Sequence, residues 1–234
     1  MGLKYTLKNW YTRPGPGIPE NAPRKKGLFL FFDILLRELF ELMKLNLLFL
    51  LFCIPIVTIP AAITAMTGVT LKMVRDENHF LWQDFLGTFK AEFKEATLGG
   101  WVLIILLGLS GVGIYVYARM IPTQSLFIVP LVLTLILSFI LLFSSFYFFP
   151  MLALVKLPFG QKVKNSVLLG CVCFGPNLAA ALIFLAVAAC VYLFFLVTVP
   201  LLLFIVFALL NFICTFAAYG GLRKYVLAKE CEEK

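Results

Sequence analysis

From Val167 to Leu222 the chain carries no charged side chain. A soluble domain averages about one charged residue in four, so a segment of this length and character needs a non-aqueous surrounding. The rest of the chain agrees: 62% of residues are hydrophobic and 14% charged, with mean hydropathy +1.00. Several apolar runs exceed the roughly 20 residues a helix needs to span hydrocarbon. The expected fold is therefore an all-α integral membrane protein. The net charge of +8 is not a nucleic-acid signal here, because charge in such a chain is sorted by side of the membrane.

The chain is organised around Leu45 to Glu77, an apolar run interrupted by Pro55 and Pro60 and closed by Lys72, Arg75, Asp76 and Glu77. One straight helix from Leu45 to Leu71 would be about 40 Å long, longer than the roughly 30 Å hydrocarbon core. Two prolines five apart also oppose it. The sequence predicts a hairpin: a helix rising from about Phe31 to Ile54, a turn over Pro55–Pro60, and a helix descending from Ala61 to Arg75.

Charge parity extends the reading. Residues 1–27 hold six basic side chains against one acid, Glu20, and a Pro/Gly-rich loop from Arg13 to Pro19 that cannot be helical. This polar segment holds no apolar stretch of the kind a secretory signal requires. Its opening MGLKYT fits the short N-myristoylation pattern through Gly2 and Thr6. Lysines recur at 72–94, at Lys156, Lys162 and Lys164, and after Leu222. Placing all of them, and the basic N-terminus, on the inside gives six crossings as three hairpins with both termini cytoplasmic. Five crossings with the N-terminus outside is the runner-up. The domain reading is a cytoplasmic segment 1–27 and one helical transmembrane domain 28–234.

Leu28 to Lys44 has helical periodicity, and His79 to Lys94 reads as a separate amphipathic elbow on the cytoplasmic surface. Leu81, Phe85, Phe89 and Phe93 recur at i+4, Asn78 stands as N-cap, and His79 reads as a solvated residue. A second elbow begins at Pro158, a residue suited to a first helical turn. At an offset of 70, Phe89, Lys94, Leu98 and Gly100 match Phe159, Lys164, Leu168 and Gly170. Val129-Pro130-Leu131 likewise matches Val199-Pro200-Leu201. This pattern predicts two repeat units, about 80–155 and 157–227.

The chemistry is sparse. No Asp or Glu occurs from Ala96 to Ala228, which weighs against an ion-coupled carrier built on a buried carboxylate. With one histidine and no phosphate loop or metal spacing, neither an enzyme nor a cofactor is expected, and no catalytic or metal residue is assigned. Of the six cysteines, all but Cys231 lie in apolar runs and read as small apolar filler. Asn46, Asn177 and Asn211 are the intramembrane polar candidates, each needing a partner on a neighbouring helix or a cavity. Gly108, Ser110, Gly111 and Gly113 permit close helix contact, and Gly175-Pro176-Asn177 predicts a kink.

The stretch from Leu45 to Glu77, followed by TFKAEFKEATLGG at 88–100, resembles the YesL family of bacterial integral membrane proteins, a domain of unknown function. The resemblance rests on Asn46-Leu47-Leu48, Pro55 and Pro60, Lys72 to Glu77, and the Phe-Lys-x-x-Phe-Lys pattern from Phe89 to Lys94. The family often has glycine where this chain has Pro60. No catalytic residues come with it. It implies association with carbohydrate uptake in Gram-positive bacteria, beside sugar ABC importers.

Three functions are open at this point. The first is an accessory subunit that binds the permease of an oligosaccharide importer in the plasma membrane. Its partner contacts would include Arg75, Asp76, Trp82, Phe85, Phe89, Phe93, Lys94, Phe159 and Lys164. The second is a small transporter or channel with a polar cavity around Asn46, Asn177 and Asn211. The third is a membrane-bound regulator of carbohydrate utilisation.

Overall fold

The computed structural model describes residues 28–122, 124–193 and 201–227. The basic segment 1–27, the turn at Thr198-Val-Pro200 and Cys231 lie outside them. The chain divides into two compact units, Met1–Leu36 and Arg37–Lys234. In the first, the described residues belong to helix α1, Leu28–Arg37, where the rings of Phe31 and Phe32 meet edge to face at 5.4 Å.

The secondary-structure elements among the described residues of the second unit are all helical. Its helices are α2 (Leu39–Phe52), α3 (Ile59–Val74), α4 (Leu81–Met120), α5 (Ile128–Leu154), α6 (Phe159–Val172), α7 (Phe174–Leu193) and α8 (Phe207–Leu222). Among the described residues five helical stretches are long and apolar enough to cross a membrane: Ile56–Val74, Leu81–Met120, Ser125–Leu154, Phe174–Leu193 and Leu203–Val226. At 14 residues, α2 is only about 21 Å long.

The hairpin turn falls where the prolines put it. A 3-10 turn at Ile56–Thr58 joins α2 to α3. Pro60 sits in the first turn of α3, where its missing N–H removes no helical bond. The turn is closed locally by Thr58, whose Oγ1 donates to Phe52 O at 2.5 Å and Pro55 O at 2.6 Å. The rising segment is not one helix, however. It breaks at Glu38 (φ −96°, ψ 9°), whose carboxylate accepts from Arg37 Nε at 3.0 Å and faces His79 Nε2 at 3.5 Å. His79 is accordingly mostly covered rather than solvated.

The expected first elbow is overturned. No break separates 81–94 from the following apolar run, and α4 continues for 40 residues, about 60 Å. Glu95-Ala96-Thr97 contains no helix breaker, and Gly99 and Gly100 are kept for contact: a Cβ on Gly99 would lie 2.9 Å from the Phe159 ring. Asn78 is not the cap either. The helix starts after Phe80, whose N–H donates to Asp84 Oδ2 at 2.8 Å. The Phe85–Phe89–Phe93 face does not lie on a membrane surface. Phe85 is fully buried, Phe52 meets both Phe85 and Phe89 at 5.2 and 5.0 Å, and Phe89 and Phe93 pack with Ala61, Ala96, Phe148 and Leu152.

The second elbow is a distinct helix, α6, with Pro158 as its N-cap residue. It ends at Cys173 (φ −92°, ψ 49°), three residues before Pro176, as the Gly-Pro pair predicts.

Candidate functional site

One end of the second unit gathers most of its charged side chains. Lys72 at the end of α3 pairs with Asp84 in the first turn of α4 at 2.7 Å. Arg37 reaches Asp76 at 2.6 Å and Arg75 reaches Glu77 at 2.7 Å. Asp76 closes α3 in the left-handed conformation, φ 57°. Its own N–H bonds Met73 O, and the Glu77 N–H bonds Lys72 O. That is the Schellman arrangement with Asp where glycine is usual.

The most enclosed charge is Lys162 on α6, its side chain 4% exposed, held by Glu92 Oε2 at 3.1 Å and Glu95 Oε2 at 2.8 Å on α4. Burial pushes its ammonium pKa down. The hydrogen bonds and charges of Glu95 and Glu92 outweigh that and hold it above the usual lysine range. Sequence reading missed this pair, although a signal existed: Glu92 and Lys162 stand 70 apart, the repeat offset, with opposite charges.

The three asparagines are all tied to neighbours. Asn46 on α2 performs an unusual splice. Its Nδ2 donates to Leu203 O at 2.7 Å, and its Oδ1 accepts from Ala208 N–H at 2.9 Å. Leu202–Val206 is a π turn, and those two backbone groups are five residues apart. The side-chain amide therefore occupies the gap that the wider turn opens. Asn211 on α8 donates to Thr67 Oγ1 at 2.9 Å and accepts from Thr70 Oγ1 at 2.9 Å. Thr215 lies 3.2 Å from Thr70. These threonines also have a signal that sequence reading passed over, the three-residue spacing Thr64, Thr67, Thr70 on one face of α3. Asn177 on α7 donates to Gly170 O at 3.0 Å, capping the carbonyl end of α6 beside the break.

The asparagines do not share a cavity. One of about 260 Å³ opens among α2, α3, α5, α7 and α8, walled by phenylalanines including Phe49, Phe146, Phe149, Phe184 and Phe207. Of the three, only Asn211 lines it, with Thr67 and Thr215. No cluster of His, Cys, Asp and Glu able to hold a metal ion occurs among the described residues.

The expected partner contacts separate into two groups. Arg75, Asp76, Trp82, Lys94 and Lys164 are exposed. Phe85 is buried, and Phe89, Phe93 and Phe159 pack inside the aromatic cluster, where they join helices of this chain to one another.

Long apolar helices with charges collected at one end define a multi-pass membrane protein. Within it, residues 42–114, from α2 to most of α4, match the family described as "Protein of unknown function, DUF624". No curated protein and no solved structure matches the chain.

Proposed function

We propose that this chain is an accessory subunit of an oligosaccharide ABC importer in the plasma membrane of a Gram-positive bacterium, bound to the permease and supporting its assembly or activity. The observation that carries the reading is the resemblance of Leu45–Gly100 to the YesL family, which falls within the region of the family match. Supporting it, the sequence from Ala96 to Ala228 offers no carboxylate to couple an ion gradient. Trp82, Lys94 and Lys164 are each exposed and so open to a partner. In this reading the charged end faces the cytoplasm with both termini, and 80–155 and 157–227 are two copies of one unit.

The test is affinity purification of the full-length tagged protein from native membranes in mild detergent, followed by mass spectrometry. A permease subunit should be recovered, and the triple variant Trp82→Ala, Lys94→Glu, Lys164→Glu should lose it while melting at the wild-type temperature. Recovery of the chain alone, repeatedly, would sink the proposal.

The cavity at Asn211 favours a second reading, a stand-alone transporter. Purified protein in liposomes that moved a sugar unaided, and lost that uptake on Asn211→Leu, would replace the first reading with this one.

A further inference from the structure

Helix α3 lies antiparallel on α4, and four contacts set their register. Trp101 Nε1 donates to Val57 O at 3.0 Å. Gly100 lies so near Pro60 that a methyl group there would overlap the ring. A Cβ on Gly68 would meet Thr88 Oγ1 at 2.9 Å, and Lys72 meets Asp84 at 2.7 Å. The hairpin thus covers α4 only from Asp84 to Trp101. Beyond Trp101, α4 runs on to Met120, about 28 Å further. Helix α5 accompanies that upper part: a Cβ on Gly113 would touch Thr134 at 3.2 Å, and the rings of Tyr117 and Phe127 stack at 6.5 Å.

The outer stripe of α4 changes from charged to apolar along its length. Lys90 and Lys94 are exposed, and after them come exposed Leu98, Val102 and Ile105. At the far end the Arg119 guanidinium lies 5.4 Å from the Tyr115 ring centroid, an aromatic–basic pair of the kind that marks an interface. Leu98 to Arg119 is about 32 Å of helix, which matches the thickness of the hydrocarbon core. The hairpin tip, level with Trp101, stands only about 5 Å above Leu98.

We infer that the α2–α3 hairpin is re-entrant: it enters the bilayer from the charged face, turns at Pro55–Pro60 in the near leaflet against Trp101, and leaves by the same face. Helix α3 therefore belongs to the five stretches apolar enough to span without spanning. Its surroundings agree, since most of α3 from Pro60 to Val74 is buried among neighbouring helices, whereas α4 beyond Trp101 and the first half of α5 are largely exposed. The tip also suits the depth. Ile54, Ile56 and Val57 are exposed and apolar. The tip's irregular backbone bonds to Thr58 and Trp101, as non-helical backbone in a bilayer must. Among the described residues the crossings are then α4, α5, α7 and the stretch Leu203–Val226 that contains α8, an even number that keeps Arg37 and Arg223 on one side.

The test uses the full-length chain in native membranes with its six cysteines replaced by alanine and one cysteine returned at Val57, Glu77 or Gln124. A membrane-impermeant maleimide is added to sealed vesicles of either orientation. Glu77→Cys should label from the charged side alone and Gln124→Cys from the opposite side alone. Val57→Cys should label from neither side until detergent is added, with Ile54→Cys behaving the same way. Labelling of Val57→Cys from the Gln124 side would show a full crossing and overturn the inference. Free labelling from the Glu77 side would place the hairpin in water and overturn it equally.

Discussion

Two helical routes lead away from the charged end of the second unit, and they differ in continuity. Helix α4 runs unbroken for 40 residues, whereas α6 and α7 cover their path in two pieces that meet at Cys173. Their early parts correspond at the offset of 70. Each route brings a glycine to a close helix contact, Gly100 against Pro60 and Gly170 against the backbone of Phe143 and Ser144. They part where α4 has Ile105-Leu106 and the second route has Gly175-Pro176. Pro176 has no N–H for the Val172 carbonyl, and its ring collides with that turn. The comparison teaches that close packing at the glycines is compatible with either a straight or a broken helix. One proline four residues beyond the C-terminus of α6 decides which forms.

Lys162 is where the two routes are tied, so removing it should have the largest effect. Lys162→Met leaves Glu92 and Glu95 without their shared cation and should destabilise the bundle by about 3–5 kcal/mol, read as a lower melting temperature in detergent. The same tie has a pH signature. Because the folded ammonium is held above the ordinary lysine value of 10.5, its stabilisation is complete below that value and lost as pH rises through and beyond it. Melting measured from neutral to strongly alkaline pH should fall above 10.5 in the wild type, and that fall should be smaller in Lys162→Met. Equal alkaline slopes would assign the loss to other groups.

Next in size is the transplant of the break. Leu106→Pro should interrupt α4 at the point equivalent to Pro176 and cost about 3 kcal/mol or more. A spin-label distance across the site, between Lys94 and Tyr117, should shorten. An unchanged distance would mean that packing, not the proline, decides helix continuity.

Gly100→Ala and Gly170→Ala should each destabilise by about 1–3 kcal/mol, since the added methyl meets a proline ring or a neighbouring backbone. Gly108→Ala and Gly160→Ala, where a Cβ meets nothing within 4 Å, should be neutral or slightly stabilising through helix propensity. If all four behave alike in thermal melts, close approach is not the reason for glycine on these helices.

The smallest effect belongs to the cap beside the break. Asn177→Ala removes the hydrogen bond to Gly170 O and should cost about 1 kcal/mol. In the double variant with Pro176→Leu the loss should shrink, because a continuous helix supplies its own donor. Strict additivity of the two changes would deny that Asn177 serves the break.

Much of this was legible in the sequence. The prolines located the turn between α2 and α3, Gly175-Pro176 located the break after α6, and clustered lysines identified the charged end. The continuity of α4 was not legible, because the i+4 row of Phe85, Phe89 and Phe93 has the same period whether it meets lipid or protein. Only the tertiary neighbours Phe52, Phe148 and Phe159 distinguish the two. The pairing of Asn46 was also hidden. An asparagine in an apolar run demands a partner, but the π turn that supplies one lies some 160 residues away without a local signature.

That splice makes the two ends of the second unit depend on each other. Leu203 O and Ala208 N–H are made long after Asn46, and a backbone group left unsatisfied in hydrocarbon costs several kcal/mol. The backbone from Leu203 to Ala208 is therefore fully paired only when Asn46 of the opening hairpin lies beside it. A hairpin packed out of place thus leaves a flaw some 160 residues away in the chain, where those two backbone groups lose their partner.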